Sequence, residues 1–242
     1  WQRAKWGGFA TKFLKFGEKT AAKYADELIV LSEGTRDYFK ETYGRETVFI
    51  PNGIDVQNEK KADIITKKYG LEKDGYILFL ARIVPEKGLH YLIDAFMQTD
   101  TDKKLVIAGG VSHSSEYAKQ IHDMAKDDRI IFTGFVEGDE LWELYYNCRM
   151  YVLPSDVEGM PISLLEAMAC GCECLVSDID TAKNVVGEYG YTFKKSDVND
   201  LKSKLCEMLG KPKADKAEQI EYVKNNYSWD EITDRTLELY KK

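Results

Sequence analysis

The sequence predicts an α/β protein built on a doubly wound, Rossmann-like parallel sheet. Three observations carry that prediction. From residue 26 onward, short apolar runs alternate with helical patterns. The runs lack the strict apolar/polar alternation of half-exposed strands, so both faces of the sheet are expected to be covered. Their spacing suits right-handed β–α–β units. Strands are expected at 28–31, 48–50, 76–80, 105–108, 130–133, 150–153, 174–176 and 190–193. Helices are expected between them at 33–43, 60–69, 88–97, 114–126, 138–147, 162–170 and 197–209, and two more, near 214–226 and 229–241, close the chain.

The run Pro51-Asn52-Gly53-Ile54-Asp55 collects turn formers just after a short strand and marks a boundary. Too little precedes it to close a domain, whereas six strands with their helices follow. One complete C-terminal domain after the tail of an incomplete one is therefore expected. The chain begins at Trp1 with no leader pattern, as a fragment of a longer protein would.

Composition narrows the function classes. The 242 residues carry 34 Lys+Arg against 41 Asp+Glu, a formal net charge of −7, which argues against nucleic acid as a partner. No apolar run approaches the ~18 residues of a membrane-spanning helix. Five cysteines, an odd number, fit a reducing compartment better than a disulfide scaffold. Charge is uneven, however: residues 1–24 hold Arg3, Lys5, Lys12, Lys15, Lys19 and Lys23 against Glu18. Phe9, Phe13 and Phe16 recur there at helical spacing beside the lysine stripe. A helix over 5–23 with this pattern suits either packing on a neighbouring domain or peripheral contact with an anionic membrane surface.

In an open α/β sheet, ligands sit at the carboxyl ends of strands. Arg82 follows the strand at 76–80, and Lys87 stands at the mouth of the next helix, with Pro85 and Gly88 shaping the turn. Two cations beside a helix start suit a diphosphate; the alternative is a solvated loop whose cations pair with local acids such as Glu86. After the strand at 150–153, the loop carries Glu158 and Gly159, and a helix starting near Ile162 carries Glu166 in its second turn. The amides from Met160 to Ile162 are expected to face phosphate oxygens, and the two carboxylates to accept hydrogen bonds from sugar hydroxyls. Alternatively, both are ordinary surface acids. Gly109 and Gly110 end another strand, as a ligand-admitting turn or a tight exit, and Gly134-Phe135-Val136 end a third, where backbone groups suit a nucleobase edge.

Other patterns read as structural. Cys170, Cys172 and Cys174 alternate into a strand as buried small residues, without the C-x-x-C spacing of zinc sites. No metal site is expected. His90, His113 and His122 match no nucleophile pattern, and neither H-E-x-x-H nor the G-x-G-x-x-G fingerprint is present.

The order PNGID, ARIVPEKGLHYLIDAF, GFV and SDVEGMPISLLEAMACGCECLVSD resembles glycosyltransferase family 4, retaining enzymes of the GT-B fold. The resemblance covers nearly all of residues 26–242. It implies the C-terminal half of a GT-B glycosyltransferase. Residues 1–55 would be the tail of the N-terminal acceptor domain and linker, 56–228 a nucleotide-sugar-binding Rossmann-like domain, and 229–242 a helix crossing back toward the first domain. Arg82 and Lys87 match the basic pair that holds the donor diphosphate without a metal. Glu158 and Glu166 match the E-x7-E motif, the first toward the transferred sugar and the second toward the ribose. Gly159, Met160 and Pro161 match the loop that approaches sugar and phosphate, and Gly134, Phe135 and Val136 the base-binding turn. Glu158, Arg82 and Lys87 are thus the expected catalytic group, with Gly109 among the donor-binding residues. Where the common form of the second motif has Gly and Pro, this chain has Pro161 and Ser163, which leaves the donor sugar open.

The resemblance implies a nucleotide diphosphate sugar as donor substrate, no cofactor, and a carbohydrate or lipid-linked acceptor in surface polysaccharide or glycolipid synthesis. A cytoplasmic location is expected, at the inner face of the membrane if residues 5–23 make that contact. The alternatives are a sugar-nucleotide epimerase or phosphorylase on the same fold, and a non-catalytic nucleotide-sugar-binding domain.

Overall fold

The structure, a computed structural model, describes residues 7–110 and 115–241. Arg3, Lys5 and His113, and the ends of the helices expected at 5–23 and 114–126 that reach Trp6 and Ser114, lie outside the described residues. The chain divides into two compact units, one made of residues up to Gly53 together with those from Tyr227 onward, the other Ile54–Asn226.

In the first unit, α1 (Gly8–Tyr24), β1 (Ile29–Val30), α2 (Glu33–Tyr43) and β2 (Val48–Phe49) precede the closing helix α11 (Trp229–Leu239). The two strands pair in parallel. Ser32 caps α2 by accepting from the Thr35 amide, and Glu18 ties α1 to α2 by accepting from the Tyr38 and Tyr43 hydroxyls at 2.6 and 2.7 Å. The α11 segment is held by Arg235, which donates to Phe49 O at 2.7 Å, and by Trp229, whose ring lies so close to Gly53 that a Cβ there would sit 2.5 Å from it. Phe9, Phe13 and Phe16 are exposed.

The larger unit opens with α3 (Ile64–Tyr69) and holds a six-stranded parallel sheet: β3 (Tyr76–Leu80), β4 (Lys104–Ala108), β5 (Ile130–Gly134), β6 (Met150–Leu153), β7 (Cys174–Ser177) and β8 (Tyr191–Phe193). Their order is β5-β4-β3-β6-β7-β8, the doubly wound arrangement expected. Ile77 lies opposite Met150 across one side of β3 and Leu105 across the other. The connecting helices are α4 (Leu89–Met97), α5 (Ser115–Met124), α6 (Gly138–Asn147), α7 (Ile162–Ala169), α8 (Asp180–Val186), α9 (Val198–Leu209) and α10 (Ala217–Asn226). On one face Ile77, Phe79, Leu105, Ile107, Val152 and Leu175 pack with Leu89, Leu92 and Phe96 of α4 and Leu201 and Leu205 of α9. Residues facing the other way, including Tyr76, Leu78 and Tyr151, are equally buried, and α7 packs on β6 and β7 there. Covering on both faces is why the strands read as unbroken apolar runs.

Three local departures have physical causes. The helix expected from residue 60 starts at Ile64, because Glu143 of α6 accepts from the Asp63 and Ile65 amides and so fixes its first turn. The helix expected from 214 starts at Ala217, because Glu173 accepts from the Ala214 amide and Arg149 donates to Lys211 O. Helix α8 was not expected; its seven residues are too few to show helical periodicity.

Candidate functional site

Strand β3 lies between β4 and β6, and the connections leave β3 and β6 toward opposite ends of the sheet. The carboxyl ends of these two strands are thus the switch point, where open α/β sheets take their ligands. Arg82 lies just beyond β3, exposed, and its side chain has no hydrogen bond or ion pair among the described residues. Next comes a 3-10 turn, Pro85–Lys87, ended by Gly88 in the left-handed region (φ 66°). A Cβ at Gly88 would lie 1.9 Å from Pro154 O, so only glycine lets this turn rest directly on the loop after β6. The Asp156 amide donates to Glu86 O (2.9 Å), and the Tyr91 hydroxyl donates to Asp156 Oδ2 (3.2 Å), stitching turn and loop together.

Across that seam Lys87 Nζ lies 2.6 Å from Glu158 Oε1, with side chains only 15% and 7% exposed. Lys87 thus pairs with the E-x7-E glutamate. Ser155 Oγ, fully buried, donates to the same Oε1 at 2.6 Å. The Ser155 carbonyl in turn accepts from Ser177 Oγ at the end of β7 (2.5 Å).

Glu166 is not a solvent-facing helix acid. The buried Tyr145 of α6 donates its hydroxyl to Glu166 Oε2 (2.8 Å), with Ser163 O at 3.2 Å. Burial pushes the Glu166 carboxyl above the usual carboxylate range, and the Tyr145 hydrogen bond opposes that rise. Ser163 Oγ lies 2.9 Å from the Tyr151 hydroxyl, which also reaches Leu80 O at 3.4 Å. A chain of hydrogen-bonding groups therefore connects Glu166 to the end of β3.

The remaining site residues line neighbouring exits. Gly159 is exposed with open space around it, and Met160 is half-buried. The expectation of ligand-facing amides from Met160 to Ile162 narrows to the residues on either side of Pro161, which has no N–H; the Pro161 carbonyl accepts from the Leu164 and Leu165 amides. At Gly109 the tight-exit alternative describes the geometry. Its amide donates to Gly134 O at 2.8 Å, and a Cβ would lie 1.9 Å from Ala81 O. Gly134 (φ 75°) and Phe135 are exposed, and Val136 is buried.

Cys148, Cys170, Cys172 and Cys174 are buried free thiols, and burial pushes the last three upward in pKa. His90 Nδ1 lies 2.8 Å from the Tyr117 hydroxyl. Among the described residues, no three His, Cys, Asp or Glu side chains gather to hold a metal ion, and no helix is long and apolar enough to cross a membrane. Ser155, Ser177 and Tyr145 escaped the sequence reading; their partners are set by the fold, and a lone Ser or Tyr carries no local signal.

A doubly wound sheet with cations and helix starts at its switch point is a design for holding phosphorylated ligands. The chain belongs to the family of glycosyl transferases group 1, which matches residues 61–227, while residues 1–55 match a domain of unknown function, DUF1972. It is 26% identical over 187 residues to O-antigen chain mannosyltransferase B of Escherichia coli, covering 73% of this chain and 48% of that protein. It is 28% identical over 237 residues to the lipopolysaccharide 1,2-N-acetylglucosaminetransferase of Salmonella typhimurium, covering 89% of this chain and 62% of that one. The chain thus spans about half to two-thirds of the length of these two relatives. Among solved structures, HepE of Anabaena in complex with UDP and glucose superposes with a TM-score of 0.84 at 20% identity, over 95% of this chain and 67% of that one. The α/β fold expected, with GT-B glycosyltransferases as structural neighbours, is the fold found.

Proposed function

We propose that the protein to which this chain belongs is a retaining glycosyltransferase of family 4, and that this chain holds its donor, a nucleotide diphosphate sugar. The observation that carries the reading is the 2.6 Å contact between Lys87 and Glu158, which joins the turns after β3 and β6 beside the start of α7. In this reading Arg82, Lys87 and the amides at the start of α7 face the diphosphate, and Glu158 and Glu166 accept from hydroxyls of the sugar and the ribose. As the glycosidic bond to the diphosphate breaks, negative charge grows on the leaving oxygens. Fixed cations and helix amides then stabilise the transition state more than the ground state. An acceptor hydroxyl attacking from the leaving-group face gives retention, and no enzymic nucleophile is assigned. The reading needs neither metal nor cofactor, since side-chain cations fill that electrostatic role.

The relatives named above are an O-antigen mannosyltransferase and a lipopolysaccharide N-acetylglucosaminetransferase, which supports a role in surface polysaccharide or glycolipid synthesis on a carbohydrate or lipid-linked acceptor. Helix α1, with Phe9, Phe13 and Phe16 exposed beside Lys12, Lys15 and Lys19, supports peripheral contact with the anionic inner face of the membrane. Flotation with vesicles tests that contact, and salt-insensitive or absent association overturns it.

The donor site is tested by calorimetric titration with UDP, GDP and their sugars. Binding by the parent chain and at least about tenfold weaker binding by Arg82→Ala and Glu166→Ala are expected. Variants that bind as tightly as the parent overturn the assignment. Transfer to an acceptor by this chain alone is expected to be poor, and full turnover would refute that.

A further inference from the structure

Resting on the donor-site reading above, we infer that Ser155 is a positioning residue that fixes Glu158 by one carboxylate oxygen and turns the other toward the sugar. Glu158 Oε1 receives two donors, Lys87 Nζ and Ser155 Oγ, each at 2.6 Å. Oε2 has no partner among the described residues and is not sealed away from solvent. A carboxylate has about four lone-pair sites. Here the occupied ones all lie on one oxygen. The side chain is only 7% exposed, so Oε2 is poorly hydrated and well placed to accept from a ligand hydroxyl.

The two donors are not equivalent. Lys87 is a cation at the mouth of a helix and a competing anion draws it away: a bound diphosphate takes a share of the ammonium that otherwise belongs to Glu158. Ser155 is neutral and fully buried, and its carbonyl is anchored by Ser177 of β7, so no part of the ligand competes for it. Occupation of the site therefore leaves Ser155 as the donor that keeps Glu158 in its rotamer. Without it, the glutamate is free to turn just when Lys87 is shared. The consequence is specific: Ser155 matters to the sugar-dependent part of donor affinity and not to recognition of the nucleoside diphosphate.

The test compares UDP-glucose with UDP and GDP-mannose with GDP, titrated against the full chain and against Ser155→Ala, Ser155→Cys and Ser155→Thr, with thermal melting of each variant. The tighter binding of one sugar nucleotide over its bare diphosphate is expected to shrink about tenfold in Ser155→Ala, the equivalent of one hydrogen bond. Affinity for the bare diphosphate stays within about twofold, a shift too small to represent a lost contact. Ser155→Cys, nearly isosteric with a weaker donor, falls between, and Ser155→Thr restores the gain. A full gain in Ser155→Ala overturns the proposal, as does equal weakening for bare and sugar-bearing nucleotides, which would mark collapse of the loop. A parent that binds nucleotides without any gain from the sugar overturns it too. A parent that binds no nucleotide overturns the donor-site reading and this proposal with it.

Discussion

Two ion pairs flank strand β6, and they are built to opposite ends. At its amino end, Arg149 and Glu173, the residues just before β6 and β7, form a pair with side chains 7% and 4% exposed. Arg149 also donates to Met208 O and Lys211 O, and Glu173 accepts from the Ala214 amide. At the carboxyl end, Lys87 and Glu158 are nearly as secluded, yet the ammonium keeps donors to spare and one carboxylate oxygen has no partner among the described residues. Burial of charge is common to both. What separates them is saturation. A buried pair whose two carboxylate oxygens and two terminal guanidinium nitrogens are all engaged holds the chain around 208–214 against the sheet; one with a carboxylate oxygen left over is disposed to receive something.

Breaking the saturated pair gives the largest effect. Arg149→Ala strands Glu173 in the interior, and a loss of about 3–5 kcal/mol is expected in urea unfolding of the larger unit. Nucleotide affinity of the molecules that remain folded is expected to be unchanged. A loss under about 1 kcal/mol, typical of exposed pairs, would show that the two ends do not differ as described.

Arg82→Ala sharpens the contrast from the other side. Arg82 is exposed and holds nothing together among the described residues, so its removal is expected to change stability by less than about 0.5 kcal/mol. UDP or GDP affinity is expected to fall about tenfold to a hundredfold, as loss of a charge-assisted contact would give. A variant that melts early but binds normally would move Arg82 into the structural group.

The same contrast explains what the sequence could reveal. Strand positions were legible because each strand is an unbroken apolar run, and β3 and β6 have the bounds expected. Arg82, Lys87 and Glu158 stand out in sequence as charges at strand exits, whereas the spacing of Glu158 and Glu166 is weak by itself and takes its meaning from the family resemblance. The fastenings were not legible. Glu143 starting α3 and Glu173 delaying α10 act across tens of residues, so local windows over-extended both helices. In sequence Gly109 fits a ligand turn and a tight exit equally, and only the position of Ala81 O decides between them. Ser155 and Tyr145, which hold the two site glutamates, are ordinary residues in sequence and acquire their roles only when β6, α6 and α7 come together.

Glu166 gives a small effect on stability and the most pointed one. Burial raises its carboxyl pKa above the ordinary value, which an unfolded chain would show. Between the ordinary and the raised value the folded state therefore holds more protons than the unfolded state. Stability falls as pH rises through that window, and at neutral pH the ionised group is a cost that the Tyr145 hydroxyl only partly offsets. Glu166→Gln keeps an acceptor for Tyr145 and removes the charge. At pH 7 it is expected to be as stable as the parent or more so, by less than about 1 kcal/mol, with the difference shrinking as pH falls toward about 4. Nucleotide affinity should weaken all the same, because in the proposed donor site the ribose hydroxyls lose an ionised acceptor. Urea melts at several pH values, set beside titrations with UDP and GDP, separate the two effects. A variant that is less stable at neutral pH and binds as the parent does would make Glu166 a fastening like Glu173. The gain in stability together with the loss in binding would place it with Glu158, among the residues that serve the ligand rather than the fold.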